Sequence, residues 1–252
     1  GLLKITGTGE MTNYALSSSQ KAPWDSYKDS VKSVNIEDGV TTVGSYAFYQ
    51  HTALTNIEFP KSIVSIGAYA FCGCTAFTSF TIPDGITTIS EYMLATCSNL
   101  TTVIIPEGVT TIGSNAFANC SKLENINLPN SITSIGEGAF FSCKINSINI
   151  PDGVTVIKRG TFGGDYGISR LAYLTIGKNL SLIENYAFFR KPFDIISYAQ
   201  SPPEFLEYSF YDNPTNSGAP EDWISLEENG AENHFYYMYV PYSSRDLYNN
   251  SG

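Results

Sequence analysis

The chain has 252 residues, of which 42% are hydrophobic and only 15% charged, with a formal net charge of −10. That length supports a large core in one domain, and no apolar run approaches the ~18 residues that a membrane-spanning helix needs. Scattered Lys and Arg in an acidic chain exclude a binder of phosphate backbones and disfavour docking on an anionic bilayer.

Residues 1–32 follow no repeat. Leu2-Leu3-Lys4-Ile5 and the Gly7 and Gly9 behind it read as a strand and turn, followed by a polar loop to Pro23-Trp24. The segment reads as an N-terminal cap that covers the strand edge and apolar end of the next unit. Trp24 is expected as a lid over Val34 and Val43; a ligand platform is the weaker alternative. No leader sequence is visible, and the start at Gly1 reads as already trimmed of a signal sequence.

From Ser33 to Ile195 the sequence repeats. Each copy is anchored on one large residue: Phe48, Phe71, Leu94, Phe117, Phe140, Phe162 and Phe188, with a weaker anchor at Phe210. The first four steps between anchors are 23 residues and the next three are 22, 26 and 22. Apolar columns keep step at five, eight, twelve and fourteen positions before the anchor; one copy supplies Ile112, Val109, Ile105 and Val103. Leu54, Phe77, Leu100 and Leu123 follow their anchors by six, and Ile145 comes one position early. The columns at fourteen and twelve lie two residues apart and share one face of a short strand. Pro83, Pro106, Pro129 and Pro151 end that strand, with turn residues after them. A second β-rich run follows, such as Val109-Thr110-Thr111-Ile112. A glycine then opens a predicted short helical turn, as in Asn115–Asn119. One copy cannot cover its own apolar side chains, but stacked copies bury them in a continuous core. Seven coils at ~4.8 Å each give a stack of roughly 35 Å.

Residues 196–252 read as a degenerate last coil with an insertion and a C-terminal cap. Pro202-Pro203 stand where its second strand should be. Positions 212–233 read as a long acidic loop. Phe235–Val240 is expected as a strand, with a short helix behind Ser243 or Ser244.

The run Leu100-Thr-Thr-Val-Ile-Ile-Pro-Glu-Gly-Val-Thr-Thr-Ile-Gly-Ser-Asn-Ala-Phe-Ala-Asn-Cys120 resembles the BspA-like class of leucine-rich repeats nearly position for position. The resemblance covers roughly residues 33–195. Departures are Ser90 and Met93-Leu94 in the third copy, Lys158 and Thr161 in the sixth, and an insertion at 163–170. It implies an α/β repeat: a right-handed leucine-rich-repeat solenoid with short parallel strands and short helical turns, capped at both ends. It also implies a bacterial, secreted or surface-attached protein engaged in adhesion.

Four columns are candidate sites. Cys74, Cys97, Cys120 and Cys143, headed by His51, fall three after the anchor. A column does not converge as metal ligands must, and parallel Cα–Cβ vectors suit a disulfide poorly. A buried ladder of free thiols is expected, with Cys72 off it. The turn column Asp38, Lys61, Asp84, Glu107, Asn130, Asp152 and Lys178 carries too many cations and amides for a calcium row. Tyr46, Tyr69 and Tyr92, with Tyr186 and Tyr208 later, form a row two before the anchor that suits protein or sugar contact; alternatively these rings cover the flank of the turns. The outward strand row Asn35, Glu58, Thr81, Ile104, Asn127, Asn149 and Thr175 is polar and flat, with Ile104 its one apolar spot, as a solenoid's partner surface would be.

No nucleophile, metalloprotease or phosphate-loop motif is present. A glycosidase-like pair from Asp25, Asp29 or the acids of 221–232 has nothing to fix its separation. The sequence therefore points to a non-enzymatic binding protein that needs no metal or cofactor, with a protein or glycan macromolecule as partner. Protein-mediated adhesion is the first reading, and a carbohydrate-binding module using the tyrosine row is the alternative.

Overall fold

The computed structural model describes residues 1–17, 19–164, 171–188, 194–199, 201, 203–206, 209 and 238–239. The short strands lie in two parallel rows. The first comprises Leu2–Ile5, Ser33–Ile36, Asn56–Glu58, Ser79–Thr81, Thr102–Ile104, Asn125–Ile126, Ser147–Asn149, Tyr173–Ile176, Asp194–Ser197 and Met238–Tyr239. The second comprises Thr42–Val43, Ser65–Ile66, Thr88–Ile89, Thr111–Ile112, Ser134–Ile135, Val156–Ile157, Leu182–Ile183 and Glu204–Phe205. Partners follow the repeat, as in Phe80 with Val103 and Ile89 with Ile112. The chain is a parallel-strand solenoid of about seven turns. Glu204–Phe205 is the second strand of the last coil, directly behind Pro203, so the prolines precede that strand and do not replace it. Met238–Tyr239 pairs with Ile195–Ile196, within the expected 235–240 strand. The 212–233 loop, the helix behind Ser243 and the Phe210 anchor lie outside the described residues.

The core is one continuous apolar spine. Phe48, Phe71, Leu94, Phe117, Phe140 and Phe188 are all but inaccessible. Phe48 stacks on Phe71 at 5.4 Å, Phe117 on Phe140 at 5.4 Å and Phe140 on Phe162 at 5.6 Å, with planes within 8°. Leu94 fills the same place without a ring. The other apolar columns are buried too, apart from half-buried Ile57 and Phe59.

The predicted helical turns are absent. Among the described residues the only helix is a single 3₁₀ turn, Asp25–Tyr27, in the N-terminal segment. The cause lies in the backbone. Residues two before the anchor are left-handed: Tyr46 at φ 56°, Tyr69 at 59°, Tyr92 at 52°, Asn115 at 54°, Gly138 at 62° and Tyr186 at 57°. So are several residues two after it, among them Gln50, Thr96 and Asn119. A left-handed residue at such spacing cannot continue a right-handed helix. Alternate amides close local turns, as in Ala47 to the Gly44 carbonyl and Tyr49 to that of Tyr46. The amides between them leave the coil. Tyr69, Phe71 and Gly73 donate to the carbonyls of Glu91, Met93 and Ala95 in the next coil at 2.8–3.1 Å. This third ladder runs unbroken from Tyr46 to Phe188. The strand rows do break, after Asn56–Glu58 and after Asn125–Ile126.

The N-terminal segment packs on the first coil. Trp24 stacks on the first anchor ring, Phe48, at 5.6 Å, meets Tyr14 edge-on at 5.6 Å, and packs against the core that holds Val34 and Val43. Its indole N–H donates to the Ala47 carbonyl at 2.7 Å, and the Tyr14 amide donates to the Ser45 carbonyl at 2.9 Å. Both replace donors that a preceding coil would have supplied.

Candidate functional site

The candidate residues fall on two different sides of the coil and form no single site. Tyr46, Tyr69 and Tyr92 line the turn side. Glu58, Thr81, Ile104, Asn127 and Asn149 line the first strand row, all exposed.

The tyrosines are half-buried and stacked on one another. Tyr46 and Tyr69 lie 4.7 Å apart with planes 4° from parallel, and Tyr69 and Tyr92 lie 4.5 Å apart at 8°. Tyr69 and Tyr92, with Tyr49 and Phe141, cover a small satellite core of Cys72, Ala95 and Ala118. Sugar recognition by an aromatic ring uses its face, and here both faces of Tyr69 and one face each of Tyr46 and Tyr92 meet another ring. The row offers solvent mainly its ring edges. Beyond Tyr92 the column passes to Asn115, Gly138 and Gly160 before Tyr186. That gap is a groove of about 470 Å³ lined by Glu137, Phe141 and Arg159, whose guanidinium lies 5.7 Å over the Tyr186 ring.

All five cysteines are free and buried. The ladder has a chemistry that spacing alone did not reveal. Each thiol donates to the anchor carbonyl of the preceding coil: Cys74 to Phe48 at 3.1 Å, Cys97 to Phe71 at 3.3 Å, Cys120 to Leu94 at 3.2 Å and Cys143 to Phe117 at 3.1 Å. Burial pushes the thiols of Cys74, Cys97 and Cys120 well up, which keeps them protonated donors and poor nucleophiles. His51, at the head of the column, is buried, with Nδ1 3.3 Å from the Tyr49 carbonyl and Nε2 without a partner among the described residues. Burial lowers its pKa, so the ring is neutral at pH 7.

The strand face is flat and hydrogen-bonding. Asn35 donates to Glu58 at 3.0 Å, and Ile104 is 57% exposed in the middle of the row. Toward the C-terminal end, Asn127, Asn149 and Thr175 run along a groove of about 330 Å³. Its other edge is the turn column. There Asp152 accepts the Lys178 amide at 2.8 Å and pairs with its ammonium at 3.2 Å, which together hold the carboxyl below its usual range. Glu107 accepts the Asn130 amide at 3.4 Å. Among the described residues no three His, Cys, Asp or Glu side chains gather as a metal would require. The groove ends at Tyr198, which the sequence reading passed over. Its signal was available: Gly177 breaks the column of Pro83, Pro106, Pro129 and Pro151, and Tyr198 takes the same place one coil on.

The family described as BspA type Leucine rich repeat region, in six copies, matches residues 26–121 and 96–217. The chain belongs to that family. BspA-type repeats generally occur in protein-interaction or surface proteins. This one is similar to a leucine-rich repeat protein from Eubacterium ventriosum ATCC 27560, at 20% identity over 81% of this chain and 70% of that one, with a TM-score of 0.45. It is similar to a leucine-rich repeat protein from Bacteroides ovatus ATCC 8483, at 21% identity over 81% and 69%, with a TM-score of 0.40. It is also similar to a leucine rich cell surface protein from Faecalibacterium prausnitzii A2-165, at 18% identity over 91% and 93%, with a TM-score of 0.31. No curated protein matches the chain. No helix among the described residues is long and apolar enough to cross a membrane.

Proposed function

We propose that this BspA-type chain is a non-enzymatic part of a bacterial surface or secreted protein, and that it adheres to a host or matrix macromolecule. The first strand row holds the partner, with a protein as the first choice. The observation that supports this most is Ile104, a large apolar side chain left 57% exposed at the centre of a flat polar row. An isolated apolar anchor ringed by hydrogen-bonding side chains has the anatomy of an interface hot spot. Glu58 and Thr81 lie on one side of it, Asn127 and Asn149 on the other. The edges of Tyr46, Tyr69 and Tyr92 offer a second contact zone on the turn side, suited to a protein more than to a sugar because most of their faces are taken.

The test is capture of matrix proteins on the immobilised chain, compared with an Ile104→Glu variant and a Tyr69→Ala variant. Ile104→Glu should weaken capture at least tenfold, the scale of a lost hot spot, with the fold intact. Capture that survives Ile104→Glu but fails with Tyr69→Ala would move the contact to the turn side. A chain that retains no matrix protein at all would overturn the adhesion reading.

A further inference from the structure

We propose that the groove between the Asn127–Asn149–Thr175 column and Tyr198 binds a neutral oligosaccharide. The proposal deepens the reading of this strand face as a binding surface and rests on it, since it uses the same row further along the stack.

Shape comes first. One position before the turn column, a proline side chain stands in one coil after another, up to Pro151. Gly177 follows it, and an added Cβ there would stand 2.7 Å from the Ile150 carbonyl oxygen and 2.7 Å from the Pro151 carbonyl. The backbone of the preceding coil crowds that position, so no side chain stands between the groove and Tyr198, whose residue is 49% exposed. Among the described residues, the Tyr198 ring stacks on no other ring, unlike the Tyr46–Tyr69–Tyr92 row. A free amphipathic ring at the end of the groove is what the flat C–H face of a pyranose requires.

Chemistry comes second. Asn127, Asn149 and Thr175 stand in successive coils, the last two opposite each other on paired strands at ~4.8 Å. Among the described residues, their side chains have no hydrogen-bond partner. An amide offers a donor and an acceptor side by side, which matches the hydroxyls of a sugar. Asp152 and Glu107 add acceptors already oriented by the Lys178 and Asn130 amides.

The same inventory rejects other occupants. A peptide strand needs a free sheet edge, and Tyr173–Ile176 is paired on both sides, which leaves only Ser147–Asn149, at the break in the row, with an unpaired side. A peptide also needs apolar pockets, but Leu128 and Ile150 are buried in the core. An anionic glycan would face Asp152 and Glu107, and the nearest cation, Lys178, already pairs with Asp152. The chain's net charge of −10 acts in the same direction.

The experiment is isothermal titration of the chain with extended neutral oligosaccharides of glucose, xylose, mannose and N-acetylglucosamine, and with an oligogalacturonate. At least one neutral ligand should bind, and the oligogalacturonate should not. Tyr198→Ala should weaken binding on the order of tenfold and Asn149→Ala several-fold, with circular dichroism and melting unchanged, since both side chains are exposed. Ile104→Glu should leave sugar affinity as it was. No binding at millimolar ligand, oligogalacturonate binding as tightly as the neutral ligands, or affinity indifferent to both Tyr198→Ala and Asn149→Ala would each overturn the proposal. If sugar binding fails while Ile104→Glu still abolishes protein capture, the groove falls and the reading of the face stands.

Discussion

Tyr69 holds a backbone φ of 59° while its ring is clamped between Tyr46 and Tyr92. A bulky residue there costs ~1–2 kcal/mol in backbone energy, which glycine escapes. The usual order of substitutions should therefore invert. Both Tyr69→Ala and Tyr69→Gly lose the stack, but Tyr69→Gly also sheds the strain, so it should be the more stable of the two by about 1 kcal/mol in urea unfolding. Tyr69→Ala proving the more stable would mean that the turn relaxes once the ring is gone. His51 makes a second prediction. Its pKa is lowered by burial in the fold, so at mildly acid pH the unfolded chain takes up a proton that the folded chain refuses. Stability is then fully present above the unfolded value of ~6.5 and falls as pH drops below it. His51→Cys, which carries the thiol column one coil further, should remove that part of the slope. Melting curves between about pH 5 and 8 check it, and equal slopes for the two proteins would rule the histidine out.

The coil is the next scale, and its legibility in the sequence was uneven. Apolar columns fix which side chains point inward, because burial permits few alternatives to Ile, Val, Leu and Phe at a fixed period. The turn was not legible in the same way. The segment around Ala116-Phe117 looks helical because Ala favours a helix and Gly113 looks like a start signal. Its true conformation is written in the column two before the anchor, where Asn115, Gly138 and Gly160 are natural left-handed residues. Three tyrosines in that column disguised it. Likewise the cysteines were readable as small and buried, but not as donors, because a thiol's hydrogen bond leaves no trace in spacing. The glycine four before the anchor has its own reason. A Cβ at Gly136 would stand 2.4 Å from the Ser114 nitrogen and 2.5 Å from the Gly113 carbonyl carbon, both backbone of the preceding coil. Gly136→Ala must therefore spread two coils and should cost about 2–3 kcal/mol by chemical denaturation. Ser90 shows what tolerance demands: its hydroxyl donates to the Ile66 carbonyl one coil back. Gly136→Ser should accordingly be milder than Gly136→Ala.

Across the whole molecule, cohesion is divided. The strand rows come in blocks, and only the turn ladder and the stacked core cross every boundary. The N-terminal segment should then matter locally. Trp24→Ala uncovers Phe48 and orphans the Ala47 carbonyl, at a cost of about 3–5 kcal/mol. Because each coil touches only its neighbours, hydrogen exchange should speed up at the Phe48 and Gln50 amides and leave Phe117 and Asn119 protected. Uniform loss of protection along the chain would show that the stack melts as one unit. The turn ladder carries a further meaning for how such a chain grows. In the copies anchored on Phe71, Leu94, Phe117 and Phe140 the same three peptide units stand along the stack, taking three amide protons from the copy before and giving three to the copy after. Duplicating or dropping a whole 23-residue copy in the gene leaves every buried donor and acceptor partnered. Length can therefore drift between descendants at little risk to folding, while residues 1–32, which follow no repeat and have no such spare, must be kept.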